Sequence, residues 1–61
     1  MYKVGNRYFQ DFNKAVEYAR ARAEKIWKGH VDVEEDGKRI FRIKKWINIG
    51  GILESEEIWY K

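Results

Sequence analysis

The chain has 61 residues, 38% of them charged, 44% hydrophobic and 16% aromatic, with no cysteine, no proline and a formal net charge of +3. These values exclude disulfides and thiolate zinc sites and predict a single small domain over residues 1–61, one that buries only about 60% of its unfolded surface. No apolar run approaches a membrane span and no secretory leader is recognisable, so the expectation is a cytoplasmic, intracellular protein without a membrane partner.

Charge is distributed in blocks. Residues 1–30 carry seven basic and three acidic side chains, and residues 31–37 carry Asp32, Glu34, Glu35 and Asp36. Lys38, Arg39, Arg42, Lys44 and Lys45 follow, and then Glu54, Glu56 and Glu57. Alternating blocks neutralise one another when adjacent segments pair.

The first element is a short hairpin. Gly5-Asn6 is a two-residue turn that pairs Val4 with Arg7 and Tyr2 with Phe9. A helix over about 11–28 follows, capped by Asp11, with Phe12, Ala15, Val16, Ala19, Ala23, Ile26 and Trp27 in one apolar stripe and Gly29 beyond its end. The small alanines predict close packing against a sheet.

Asp36-Gly37 marks a second hairpin. A two-residue loop throws Phe41 and Ile43 onto the face of Asp32 and Glu34. A three-residue loop, Glu35-Asp36-Gly37, pairs Glu34 with Lys38 and places Val31, Val33, Phe41 and Ile43 together, so burial selects it. In a third hairpin, a two-residue Gly50-Gly51 turn pairs Lys45 with Glu56, Lys44 with Glu57, Ile43 with Ile58 and Phe41 with Tyr60. The predicted fold is α+β: an N-terminal β-hairpin, one helix, and a three-stranded antiparallel meander (about 30–35, 38–49 and 52–60) packed on that helix. Its core is Val4, Phe9, Phe12, Ala15, Val16, Ala19, Ala23, Ile26, Val31, Val33, Phe41, Ile43, Ile58 and Tyr60. The attachment of the first hairpin to the meander is not derivable from register.

Nothing in the sequence forms a catalytic or cofactor motif. His30, Asp32 and Glu34 alternate on one strand face, but cations opposite them favour ion pairing over a metal. Ser55 is the sole serine and has no histidine within reach, and the glycines lack phosphate-loop spacing. The expectation is no enzyme, no cofactor and no metal. Single-strand nucleic-acid binding has better ingredients: a sheet face showing Arg42, Lys44, Trp46 and Trp59, with Arg20, Arg22 and Lys25 on the helix for phosphate contacts. Arg42 opposite Trp59 is equally a cation–π pair within the sheet. A protein interface is predicted at Trp46, Ile47, Ile49, Ile52 and Leu53, where the long hairpin outruns an 18-residue helix of about 27 Å.

The pattern "YKVGNRYFQDFNKAVEYARARAE" followed by a strand meander resembles short accessory proteins of phages and mobile elements. That resemblance implies a protein that binds and modulates a host protein or a defence complex. The leading expectation is therefore a small non-catalytic interaction protein that binds a partner protein, self-associates, or does both through an apolar β-arm. The nucleic-acid module is the alternative.

Overall fold

The computed structural model describes residues 1–60. They form β1 (Tyr2–Val4), β2 (Arg7–Phe9), α1 (Phe12–Ala23), β3 (Gly29–Glu35), β4 (Lys38–Ile47) and β5 (Leu53–Trp59). All five strands join one antiparallel sheet in the order β2-β1-β3-β4-β5, with α1 across one face. The α+β expectation holds, and the first hairpin adds to the meander as two further strands.

β1 and β2 pair in the expected register, Tyr2 with Phe9 and Val4 with Arg7. Gly5, at φ 60°, takes the first central position of the turn, where a side chain would be strained. β1 then attaches to β3 through Tyr2–Glu35 and Lys3–Glu34, the second of these an opposite-charge pair.

Asp11 caps α1: its carboxylate accepts from the Asn13 N–H at 2.9 Å, and its carbonyl accepts from Ala15. Ala15, Val16, Ala19 and Ala23 are buried, so the alanine stripe brings the helix axis close to the sheet. The helix is shorter than the predicted 11–28. After Ala23 the N–H groups of Lys25 and Ile26 bond only three residues back, to Arg22 and Ala23, which tightens the chain out of the α-helix. The Lys45 ammonium also donates to the Ala23 carbonyl at 2.8 Å, a cation placed at the negative end of the helix. Ile26 and Trp27 therefore leave the apolar stripe for the connection to β3. Ile26 is half-buried and Trp27 is exposed.

The β3–β4 turn corrects the three-residue loop. Asp36 (φ 52°) and Gly37 (φ 83°) both have positive φ, the signature of a two-residue type I′ turn. Glu35 pairs with Lys38 and Glu34 with Arg39. A β-bulge then shifts the ladder by one residue, giving Val33–Phe41, Asp32–Arg42 and Val31–Ile43. The turn keeps its preferred geometry, and the bulge returns Phe41 and Ile43 to the helix side.

The β4–β5 register is also corrected, by one residue: Phe41 pairs with Trp59, Arg42 with Ile58, Ile43 with Glu57, Lys44 with Glu56 and Lys45 with Ser55. The slip exchanges the faces of β5. Trp59 turns to the helix side, its ring centroid 4.3 Å from that of Phe41 and 5.6 Å from that of Phe12. Ile58 and Tyr60 leave the predicted core for the opposite face. There the Arg39 guanidinium lies 4.8 Å from the Tyr60 ring centroid. The buried core comprises Val4, Ala15, Val16, Ala19, Ala23, Val33, Phe41 and Ile43, and only Phe41, Val4 and Val33 are large and fully enclosed.

Candidate interaction surface

β4 and β5 extend well past the helix. Twelve helical residues span about 18 Å, ten strand residues about 33 Å, and the molecule is 39 Å along its longest axis. The tip is a three-residue loop, Ile49-Gly50-Gly51, in place of the expected two-residue Gly-Gly turn. Gly51 donates its N–H to the Asn48 carbonyl at 2.9 Å, the Asn48 N–H reaches the Ile52 carbonyl at 3.0 Å, and the Ile52 N–H bonds Asn48 Oδ1 at 3.0 Å. Gly51 has φ 78°, which matches a type I turn closed by a left-handed glycine. The Asn48 side chain holds this loop, and that fixes the one-residue slip.

Ile47 is 44% exposed, Ile49 108%, Ile52 63% and Leu53 52%, and the connection between α1 and β3 adds Trp27 at 73%. Ile47 and Leu53 pair across the ribbon on the helix side, in the same row as Phe41 and Ile43 but past the end of the helix. Trp46 lies on the opposite face, half-buried, across from Glu54, with the Lys44 ammonium 6.0 Å from its ring centroid. The structure thus keeps four of the five predicted interface side chains exposed around the tip and sets Trp46 on the back of the ribbon.

Behind the tip lies an open depression of about 260 Å³, lined by Ala23, Glu24, Ile43, Lys45 and Ser55 and walled by Arg20 and Glu57. Arg20 holds Glu57 through two hydrogen bonds of 2.8 and 2.9 Å. The Arg20 hydrogen bonds and charge keep the Glu57 carboxyl below the usual carboxylate range despite some desolvation. This pair replaces the expected Lys44–Glu57 pair. Lys45, expected opposite Glu56, reaches the helix end instead.

On the outer face Asp32 collects basic side chains. Arg42 donates to its two oxygens at 2.7 and 3.1 Å, Arg39 is 3.8 Å away and His30 3.7 Å. Burial pushes the Asp32 carboxyl up, but the Arg42 hydrogen bonds and charge, followed by His30 and Arg39, outweigh it and leave the pKa lowered.

The seven residues predicted for nucleic acid are scattered. Trp46 and Lys44 are on the outer face, and Trp59 is on the helix side, packed on Phe41. Arg42 is engaged by Asp32 in place of the expected stack on Trp59, and Arg20 is engaged by Glu57. The Arg22 guanidinium donates to the Tyr18 hydroxyl at 3.3 Å and lies beside Gly5, while Lys25 is exposed past the helix end. Trp27 and the depression were not anticipated. The periodicity of the stripe counted Trp27 as helical, and no local sequence signal locates the depression. Among the described residues no group of three or more His, Asp or Glu side chains is placed to hold a metal ion, and no helix is long and apolar enough to cross a membrane.

No protein-family profile, no curated protein and no solved structure gives a significant match to this chain.

Proposed function

We propose that the chain is a non-catalytic interaction protein whose binding surface is the apolar end of the β4–β5 arm together with Trp27. The observation that carries this reading is the continuation of the core row Phe41–Ile43 into Ile47 and Leu53 beyond the helix, ending in a fully exposed Ile49. Contiguous apolar surface of this kind on a small water-facing domain supports a contact surface. The hydrogen bonds of Asn48 hold the tip in one turn geometry, which lowers the cost of ordering it on binding. The resemblance of the layout to short phage-encoded accessory proteins directs the search for a partner toward a host protein or defence complex.

The competing nucleic-acid reading needs aromatics and cations on one platform. Trp46 and Trp59 lie on opposite faces, and Arg42 and Arg20 are each held by a carboxylate. That geometry supports it less well. The test is parallel affinity capture from the native host with the wild-type chain, Ile49→Lys and Leu53→Lys, beside an oligonucleotide titration followed by Trp fluorescence at low salt. The expected result is loss of captured protein in both variants and no quenching. Equal recovery by wild type and both variants refutes the arm as the binding surface.

A further inference from the structure

We propose that the occupant of the arm is a second copy of this chain, packed face to face about a two-fold axis at Ile47 and Leu53. This inference rests on the arm being the binding surface, and it names what the arm binds. Three observations carry it.

The first is area. Summed over Ile47, Ile49, Leu53 and Trp27, leaving out Ile52 on the other face beside Asn48, the exposed apolar surface is about 350 Å² per copy, taking roughly 100 Å² for an aliphatic and 200 Å² for an aromatic side chain. Two copies supply about 700 Å², some three quarters of the ~900 Å² of apolar surface in a standard interface of about 1,600 Å².

The second is self-complementarity. The protruding tip and the depression belong to one ribbon, on either side of Ile47 and Leu53. Ile49 lies two residues beyond Ile47, and Lys45 lies two residues before it, opposite Ser55. Reversing a second ribbon about Ile47 therefore brings each tip to the level of the other copy's depression, about 13 Å along the strand from its own. Such an isologous contact closes at two copies.

The third is the thin core. Three large side chains are fully enclosed, and the chain has no cysteine with which to staple them. Small domains without disulfide or metal draw on association, and a second copy is the one partner always present wherever the chain is made.

The open edge of β5 is a poor alternative contact. The bonds from Tyr60 to Ile40 and from Asn48 to Ile52 turn the even-numbered residues toward β4, leaving the backbone of Leu53, Ser55, Glu57 and Trp59 at the free edge. Two-fold pairing there, centred on Ser55, Glu56 or Glu57, sets glutamates directly against glutamates.

Sedimentation equilibrium of the full chain tests the proposal. Wild type is expected to be a dimer whose thermal midpoint rises with concentration. Ile49→Lys and Leu53→Lys, at exposed positions, are expected to be monomers with unchanged far-UV circular dichroism. Cysteine trapping in this cysteine-free chain tests the geometry. With a bismaleimide whose spacer matches the roughly 10 Å between facing ribbons, Ile47→Cys or Leu53→Cys is expected to give a cross-linked dimer, an equimolar mixture of Ile49→Cys and Ser55→Cys a mixed one, and Lys14→Cys on the exposed side of the helix none. A wild type that stays monomeric at its highest soluble concentration overturns the second copy. If Ile49→Lys still abolishes capture of another protein, the arm reading survives. A dimer indifferent to both lysine variants places the self-contact elsewhere and likewise overturns the second copy as the occupant of the arm. A dimer that the lysine variants dissociate but no cysteine variant traps overturns the two-fold geometry proposed.

Discussion

Replacing Trp59 with Ala tests the register on which the assignment of faces depends. Trp59 is 56% exposed, so a little under half of its surface is covered, chiefly by Phe41 and Phe12. On a side chain of about 200 Å², some 90 Å² of burial contributes about 2 kcal/mol at roughly 25 cal/mol per Å². The two tilted ring contacts add about 0.5–1.5 kcal/mol each. The expected loss is therefore about 3–5 kcal/mol, set against a total of about 3–9 kcal/mol for a domain of this length. Ile58→Ala, half-buried on the other face, should cost about 1 kcal/mol. The assay is urea denaturation of both variants and wild type, followed by far-UV circular dichroism at one protein concentration. If Ile58→Ala costs more than Trp59→Ala, β5 carries Ile58 toward the helix and the face assigned to Leu53 is wrong with it.

Two further outcomes follow from the turn and the ion pairs. Gly51→Ala places a Cβ at φ 78° with nothing within 4 Å of it, so strain alone should cost about 1–2 kcal/mol. Gly50→Ala, at ordinary φ, should stay within about 0.5 kcal/mol, and equal losses in urea midpoint would contradict the three-residue loop. Asp32 and Glu57 have folded pKa values below their ordinary ones. Their stabilising contribution is therefore present above the ordinary range near 4 and is lost as pH falls through the lower folded values. The urea midpoint should hold from about pH 7 to pH 5 and then decline toward about pH 3. The gap between wild type and Asp32→Asn should narrow over the same interval, and a gap independent of pH would show that Asp32 is not ion-paired in solution.

Much of the fold was legible because local chemistry and burial agreed. Gly5-Asn6 fixed the first hairpin and its register, Asp11 fixed the start of α1, and the alanine stripe fixed its buried face. The failures share one cause, in that a long-range contact outweighed a local pattern. The helix stripe runs on through Ile26 and Trp27 in sequence, yet β3 must begin beside Lys45, and the Lys45 ammonium closes the helix at Ala23. Cross-strand charge matching favoured Lys44 with Glu57, each exposed pair being worth a few tenths of a kcal/mol. Arg20, on another element, claims Glu57 with two hydrogen bonds, and Phe41 claims the largest ring of β5. A bulge cannot be counted from sequence at all. It reconciled two requirements that had been set against each other, the type I′ turn at Asp36-Gly37 and the inward placement of Phe41 and Ile43.

That one-residue slip in β5 bears directly on function. In the register chosen by charge matching, Trp46 and Trp59 share a face with Arg42 and Lys44, which is a stacking platform. In the observed register Trp59 is part of the packing under the helix and Ile47 with Leu53 takes the helix side, where the core row simply runs out of cover. Positions 46, 47 and 53 were chosen for their apolarity, but apolarity does not tell which side of a ribbon they occupy. Parity with the buried Phe41 and Ile43 puts Ile47 on the helix side of β4 and Trp46 behind it, whereas the side taken by Leu53 depends on the tip, because moving the loop held by Asn48 by one residue exchanges every face along β5. Asn48 is accordingly the residue that defines the surface without belonging to it: its carbonyl oxygens accept from the N–H groups of Gly51 and Ile52, and the arrangement they hold leaves Ile47 and Leu53 about half exposed and Ile49 fully so.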